Sequence, residues 1–290
     1  MIVFIGSVIV MIAVLGGFVM AGGKIGALMH ISELVIIAGS ALGALIVMSP
    51  KKVLIDTGRA LLQTLKGRPY GRAVYEDLFK TLYELFLVGR RDGLMAVEDH
   101  ISHPDNSSIL SKYPSFLKHK RAVEFLRGAL QPVVDGRVKP EQIRRLLDTE
   151  LAAFEVEHHA PVNVMSKMAD SLPGFGIVAA VLGIVVTMGA INGPVDVIGQ
   201  KVASALLGTF LGVLLCYGFA TPLATNLEFI AYAEMEYLKC IGNAVVEFSN
   251  GMAPIMAVEV ARRGLSSELR PSEDEMVTML KSLTSQPQQA

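Results

Sequence analysis

The side chains that could do chemistry in this sequence lie within two long apolar runs, and they are hydroxyls and one thiol. The runs, Leu172 to Ile191 and Val202 to Leu223, contain no carboxylate and no histidine. Their polar candidates are Thr187, Ser204, Thr209, Cys216, Tyr217 and Thr221. A hydroxyl can line the path of an ion or guide a water molecule, but it does not titrate near neutral pH. A proton path along these runs would therefore need an acid from another polypeptide.

Prolines and small residues shape the same two runs. Pro173 opens the first run and Pro222 closes the second, and each removes a backbone donor and loosens its helix. Their matched depth predicts two points where movement could pass to neighbouring helices. Small residues recur at helical intervals at Gly176, Ala180, Gly183 and Thr187. Such a stripe predicts close helix packing within a bundle, and it also suits a tight oligomer or a narrow pore.

Four charge-free apolar runs must position these residues. Two precede a large polar insert, Ile2 to Ala21 and about Leu34 to Met48, and the two described above follow it. Each approaches the ~20 residues that a helix needs to cross a bilayer. Because only a helix satisfies its own backbone in lipid, four spanning helices are predicted. The fold class is therefore all-α, a polytopic membrane protein with a helical domain outside the membrane. A net charge of −1 argues against nucleic acid as a partner.

Lysine and arginine predict the orientation. Of the 26 basic residues, 19 fall between Pro50 and Asp170 and five follow Leu223. The positive-inside rule therefore places the insert and both termini in the cytoplasm. Four segments result: a transmembrane hairpin at 1–49, a cytoplasmic insert at 50–170, spans 3 and 4 at 171–224, and a cytoplasmic tail at 225–290.

The insert and the tail both have helical periodicity. Apolar residues from Tyr75 to Phe86 predict a long amphipathic helix, which Gly93 separates from a short helix over Leu94 to Ile101. Further helices are predicted over Pro114 to Leu130, ending near Pro132, and from Pro140 towards the third span. In the tail, helices are predicted to about Phe248, then to Arg263, then from Pro271 onwards, with a disordered end at 285–290.

Ordinary catalytic and metal-binding patterns are missing from the sequence. It has no glycine-rich phosphate loop and no nucleophile elbow. His158 and His159 point about 100° apart on a helix, so a solvated helix end is favoured over a metal site. No cofactor and no enzyme activity are predicted. An intramembrane enzyme or a passive scaffold remains the alternative of a different class.

Several motifs resemble those of the MotA family of flagellar motor stator subunits. The stretch from Asp170 to Val181, DSLPGFGIVAAV, is similar to the signature of that family. Similar motifs are Gly208 to Gly212, Tyr217-Gly218, Pro222 to Ala224, the first hairpin from Gly22 to Gly39, Ala257 to Glu259, and Arg270 to Ser272. The resemblance covers nearly the whole chain and includes the four-span topology.

The resemblance implies a partner and a mechanism. Family members form a ring of five around two copies of MotB, a single-span protein anchored to peptidoglycan whose aspartate accepts the proton. Proton passage moves the ring, and its cytoplasmic helices push the rotor protein FliG. The ion pathway and its coupling would then involve Pro173, Gly176, Ala180, Thr209, Tyr217 and Pro222. Rotor contact would involve Arg90 and Glu98, with Arg91 beside them and Glu150 as a further candidate.

Two related functions remain open at this point. A TolQ or ExbB type subunit also forms a ring around a dimeric partner. Those relatives have three spans, so the first hairpin and the four spans of this sequence argue against them. A sodium-driven stator shares the architecture, although the long chain with this first hairpin is more similar to the proton-driven group. The expected location is the bacterial inner membrane.

Overall fold

The structure, a computed structural model, describes residues 2–28, 30–67 and 69–284. Within these residues the elements are helices, and no strand occurs. The α-helices are α1 Ile2–Met20, α2 Ile31–Met48, α3 Lys51–Lys66, α4 Arg72–Arg91, α5 Leu94–Ser102, α6 Pro114–Leu117, α7 Lys120–Val134, α8 Pro140–Met188, α9 Val195–Leu215, α10 Thr221–Ser249, α11 Pro254–Arg263 and α12 Glu273–Thr284. A π-helical turn, Cys216–Ala220, joins α9 to α10, and short 3₁₀ turns occupy Ile25–Leu28, Pro104–Asn106 and Leu110–Lys112.

The chain divides into two compact units. The apolar unit comprises the described residues of Met1–Arg68 and Glu157–Ala231, and the polar unit comprises those of Pro69–Val156 and Tyr232–Ala290. Within the described ranges, four segments are long and apolar enough to cross a membrane: Val3–Met20, Ile25–Met48, Pro140–Met188 and Val195–Ser249. The prediction of four spanning helices is therefore confirmed by length and composition. Many apolar side chains on these segments are exposed, which suits a lipid environment.

Three helix boundaries differ from the sequence-based expectation. Pro173 opens the apolar run of span 3, but the helix begins well before it, because α8 is continuous over 49 residues and holds Pro173 in its interior. Asp196 and Lys201 lie between the apolar runs that end at Ile191 and begin at Val202, where a hairpin connection would be expected, but α9 begins at Val195 and includes both. The second span begins at Ile31, three residues before the apolar run, so Glu33 lies in its first turn. Hydropathy finds where a helix is apolar, and helices continue past those limits.

The polar unit has a core built on α4. The amphipathic prediction for this helix is confirmed, because Tyr75, Leu78, Phe79, Leu82, Leu85 and Phe86 are all fully buried. Phe86 stacks on Phe248 of α10 with 4.2 Å between ring centroids. Gly93 ends α4 with a φ of +91°, a conformation that favours glycine, and α5 follows as predicted.

One predicted helix of the insert is interrupted. The expected helix from Pro114 to Leu130 is divided into α6 and α7, and α7 continues through Pro132 to Val134. His119 has a non-helical conformation at this break and stacks on Tyr70, with ring centroids 4.7 Å apart. Burial lowers the pKa of His119 below its ordinary value, which favours a neutral ring in this stack. A tertiary contact therefore overrides the local periodicity.

The tail follows its predicted course. The helix α10 ends at Ser249, α11 ends at Arg263 and α12 begins at Glu273, so these three predictions are confirmed. Met276 and Leu280 of α12 are buried in the hydrophobic core of the polar unit. The predicted disordered end at 285–290 lies outside the described residues.

Candidate ion-pathway wall and polar face

Spans 3 and 4 meet along a seam of glycines. A Cβ placed on Gly176 would lie 2.7 Å from the carbonyl oxygen of Gly208, and one on Gly212 would lie 2.7 Å from the carbonyl oxygen of Leu172. Further along, a Cβ on Gly183 would lie 2.8 Å from that of Ala205. Real Cβ atoms do not approach backbone so closely, so only glycine allows this helix spacing. The small-residue stripe is confirmed as a packing surface, and we name it the glycine seam.

Two residues expected on the ion pathway lie at one level of this seam. A Cβ on Gly208 would lie 2.9 Å from the backbone nitrogen of Ala180, and Thr209 is the next residue along α9. Gly208 is buried, Ala180 is half-buried, and the Thr209 side chain is exposed. A hydroxyl is therefore presented next to the point where the two helices are closest.

The end of span 4 is irregular where Pro222 is expected to act. The backbone N–H of Thr221 donates to the carbonyl of Cys216, five residues earlier, in the π-helical turn Cys216–Ala220. Tyr217 within this turn is 67% exposed. Pro222 follows directly, and its missing N–H leaves the preceding turn without one helical bond. Single π-helical turns inside α-helices occur frequently at functional sites. The structure therefore places Tyr217 and Pro222 together, in and beside one deformed turn.

Pro173 has a different setting. It is half-buried inside the unbroken α8, next to Leu172, whose carbonyl oxygen closely approaches Gly212 of span 4. Pro173 and Gly176 are thus at the same end of the glycine seam. Of the two prolines expected to couple movement, Pro173 adjoins the glycine seam and Pro222 adjoins the π-helical turn.

The four residues expected to contact a rotor lie in the polar unit. Arg90 is exposed near the end of α4 and, in the described part of the chain, forms no ion pair. The neighbouring Arg91 pairs with Asp92 at 2.8 Å. Glu98 on α5 accepts a long hydrogen bond of 3.4 Å from the Nε2 of Gln131. The unpaired guanidinium of Arg90 is therefore the more available of the two arginines for a partner.

Glu98 and Glu150 both approach α7. Gln131 of α7 contacts Glu98, and a Cβ on Gly128 would lie 3.8 Å from the Oε1 of Glu150 on α8. Residues three apart on a helix share a face, so these two acids flank one side of α7. Among the described residues, no hydrogen bond or ion pair joins Arg90 to either acid.

One polar contact within the spans is absent from the sequence-based expectation. Glu33 of α2 is 6% exposed, and its Oε1 accepts a hydrogen bond of 2.6 Å from the Oγ of Ser204 on α9. The apolar run of span 2 begins at Leu34, so Glu33 falls just outside the span that hydropathy predicts. A carboxylate directly before an apolar run was the available signal, because helices often begin before the run does.

Family comparisons agree across the chain. A family model described as Motility protein A N-terminal matches residues 4–93, and one described as MotA/TolQ/ExbB proton channel family matches residues 118–239. Motility protein A of Escherichia coli strain K12 is 36% identical over 289 residues, which is 100% of this chain and 98% of that protein.

Solved structures show a similar fold. A structure of MotAB from C. jejuni aligns with a TM-score of 0.77 at 20% identity, covering 93% of this chain and 98% of that one. The flagellar MotAB stator complex from Bacillus subtilis aligns with a TM-score of 0.72 at 24% identity, covering 95% of this chain and 98% of that one. With full-length identity above a third to a curated relative, the chain belongs to the Motility protein A family and is a multi-pass membrane subunit of a flagellar stator.

Proposed function

We propose that this subunit forms the wall of a proton pathway whose titrating acid is supplied by a MotB-type partner, and that it converts proton flow into torque on the rotor. The observation that carries the proposal is the glycine seam, which presents Thr209 beside the closest approach of spans 3 and 4. Thr209 and Ala180 are proposed to face the partner's carboxylate. The solved relatives are MotAB complexes, which supports a partner of this type.

The assembly is proposed to be a ring of five subunits around two partner chains in the bacterial inner membrane. The basic residues of the insert and tail support a cytoplasmic location for the polar unit and for both termini. A protein of this design would expose Thr209 and Tyr217 in a single chain, because partner helices would cover them in the ring. Exposure of 67% at Tyr217 fits that arrangement.

Pro173 and Pro222 are proposed to pass small movements from the spans to the polar unit. Both α8 and α10 contain residues of each unit, so a shift in the seam can travel along continuous helices. One elementary charge crossing the membrane releases ~2.3 kcal/mol per 100 mV. That energy suffices to shift a two-state element whose conformations differ by a few kcal/mol. The π-helical turn before Pro222 interrupts the regular α-helical hydrogen bonding, and we propose that the shift is accommodated there.

Protons are proposed as the coupling ion and FliG as the rotor partner. The family model that matches residues 118–239 is described as a proton channel family, which agrees with the proton as coupling ion. The match of the N-terminal family model to residues 4–93 favours a stator over a TolQ or ExbB type subunit. Arg90, Arg91, Glu98 and Glu150 are proposed to contact the rotor through charge complementarity, which aligns surfaces without holding them tightly.

Charge reversal at Arg90 and at Glu98 tests their proposed contact with the rotor. We expect Arg90→Glu and Glu98→Lys each to reduce swimming strongly while the protein is made and inserted normally, because charges near the surface contribute little to stability. Swimming speed in a strain that lacks the wild-type subunit gives the readout, and membrane immunoblots give the protein level. Arg137→Glu is the matched control, since the side chain of Arg137 is 78% exposed and the charge change is the same. Wild-type swimming in both the Arg90 and Glu98 variants would refute a rotor contact there.

A further inference from the structure

The second span contains an acid that the proposed pathway does not use. Glu33 is 6% exposed and both of its carboxylate oxygens accept hydrogen bonds. The Oγ of Ser32 donates to Oε2 at 2.6 Å, and the Oγ of Ser204 on α9 donates to Oε1 at 2.6 Å. A buried acid in an apolar helix costs free energy and is a candidate for a functional role.

No fixed positive charge holds this carboxyl in its ionised form. Titratable groups on the neighbouring segments are Lys24 just before the first 3₁₀ turn, His30 before α2, and Asp196 and Lys201 on α9. Among the residues that the structure describes, none of these forms an ion pair with Glu33. The Nδ1 of the His30 ring is buried without a hydrogen-bond partner.

The partners of Glu33 suit both of its protonation states. A serine hydroxyl is a donor and an acceptor, and it rotates to suit its neighbour. When a proton binds to Oε1, the new O–H can donate to Ser204, whose hydroxyl then accepts. Arginine or lysine could not reverse its role in this way. The carboxyl therefore keeps two hydrogen bonds whether it is charged or neutral.

We propose that Glu33 is a reversible proton-binding site of this subunit, separate from the acid supplied by the partner. Protonation forms one O–H bond on the carboxyl and consumes one proton, and deprotonation returns it. The site joins the first turn of α2 to the N-terminal half of α9. Together with the proposed topology, on which this point rests, that is the periplasmic end of the subunit.

The position of Ser204 links the proton site to the glycine seam. Ala205, the next residue, is the one whose Cβ faces Gly183 most closely. Thr209 lies five residues beyond Ser204 along α9. Protonation turns the Ser204 hydroxyl and replaces a charge-assisted hydrogen bond by a neutral one, and such bonds differ about twofold in strength. Proton occupancy at Glu33 thus changes the strength of the hydrogen bond between α2 and α9, and α9 forms part of the pathway wall.

Infrared difference spectroscopy tests the proton site directly. The complex of the full chain with its MotB-type partner would be placed in lipid vesicles and moved between about pH 8 and about pH 3, a range that crosses the ordinary pKa of a glutamate. We expect the wild-type complex to gain a protonated-carboxyl band, of which one component is missing in Glu33→Gln and kept in Asp196→Asn. Asp196 is an exposed acid near the same helix end, so it is the matched control. An identical band in wild type and Glu33→Gln would overturn the proposal.

Two further variants separate proton binding from simple packing. Glu33→Gln keeps the volume and hydrogen bonds of the neutral acid, so we expect it to swim, with a speed that responds to external pH at least about twofold less than that of wild type. Ser204→Ala should shift the frequency of the Glu33 band, whereas Ser7→Ala should not, because Ser7 bonds only its own helix at Val3. An unchanged pH response in Glu33→Gln would indicate that Glu33 only stabilises the helix end. The infrared result does not depend on rotation, so it stands or fails apart from the stator mechanism.

Discussion

Replacing Gly176 with alanine is expected to abolish swimming, whereas replacing Gly174 with alanine leaves it near the wild-type level. The new methyl group on Gly176 would lie 2.7 Å from the carbonyl oxygen of Gly208 and 3.1 Å from the Cα of Gly212. Both contacts are with backbone, so no side chain can move aside and spans 3 and 4 must separate. Overpacking of this kind costs about 1–3 kcal/mol. Separation would also move Ala180 away from Gly208, the residue before Thr209.

Gly174 is the matched control because it lies on the same helix and a methyl group added there would meet no other part of the chain within 4 Å. Both substitutions raise helix propensity equally, so propensity cancels in the comparison. Three readouts are available: swimming speed, the growth of cells that overexpress the complex, which reports ion leakage, and thermal unfolding of the purified complex. Equal swimming of the two variants would show that the glycine seam does not set the spacing of the pathway wall.

Replacing Arg262 with alanine is expected to cause the largest loss of stability in the polar unit. Arg262 is 7% exposed and donates from Nε and Nη2 to both carboxylate oxygens of Glu259 at 2.6 and 2.7 Å. Its Nη1 donates to the carbonyl oxygen of Pro271 at 2.7 Å, just before α12. Removing one partner of a buried ion pair costs about 3–5 kcal/mol. We expect α12 to detach from α4 first.

Arg263 offers a control that shares the same acid. Its Nε contacts Glu259 at 2.7 Å, but its side chain is 66% exposed. Arg263→Ala should therefore cost below about 1 kcal/mol. Thermal unfolding and limited proteolysis of the tail would measure both variants. Similar losses of stability in Arg262→Ala and Arg263→Ala would contradict a stabilising role for the hydrogen bond from Arg262 to Pro271.

The same pair makes a prediction about acid. The hydrogen bond from Arg262 lowers the pKa of Glu259 to about 2, from an ordinary value of about 4.3. Because the pKa is lower in the folded state, this stabilisation is complete above the ordinary value and is lost as pH falls from there towards 2. In Arg262→Ala the free energy of unfolding should therefore depend less on pH in that window. Acid titration of the unfolding midpoint would measure it, and an unchanged pH dependence would contradict the pairing.

The periodic parts of this fold can be predicted from sequence, and the parts set by distant contacts cannot. The apolar positions of α4 and the break at Gly93 follow from local rules, and the structure confirms them. The break at His119 depends on its stacking on Tyr70, 49 positions earlier in the chain, which no local pattern contains. Pro173 also misleads locally, since a proline favours the start or a break of a helix and α8 continues through it.

The candidate site shows the same division. The stripe of small residues predicts the glycine seam, because spacing alone places those residues on one face. The hydrogen bond between Glu33 and Ser204 joins residues that are 171 positions apart, so only the packed spans reveal it. The π-helical turn depends on the backbone around Pro222, and the sequence indicates only a loosened helix there.

Ion flux through reconstituted vesicles tests most directly whether the partner supplies the titrating acid. The full chain would be incorporated alone, with its MotB-type partner, or with a partner whose membrane aspartate is changed to asparagine, under separate proton and sodium gradients. The account predicts proton flux only with the aspartate-bearing partner, and no flux driven by sodium. Proton flux through this chain alone, or undiminished flux with the asparagine partner, would contradict it.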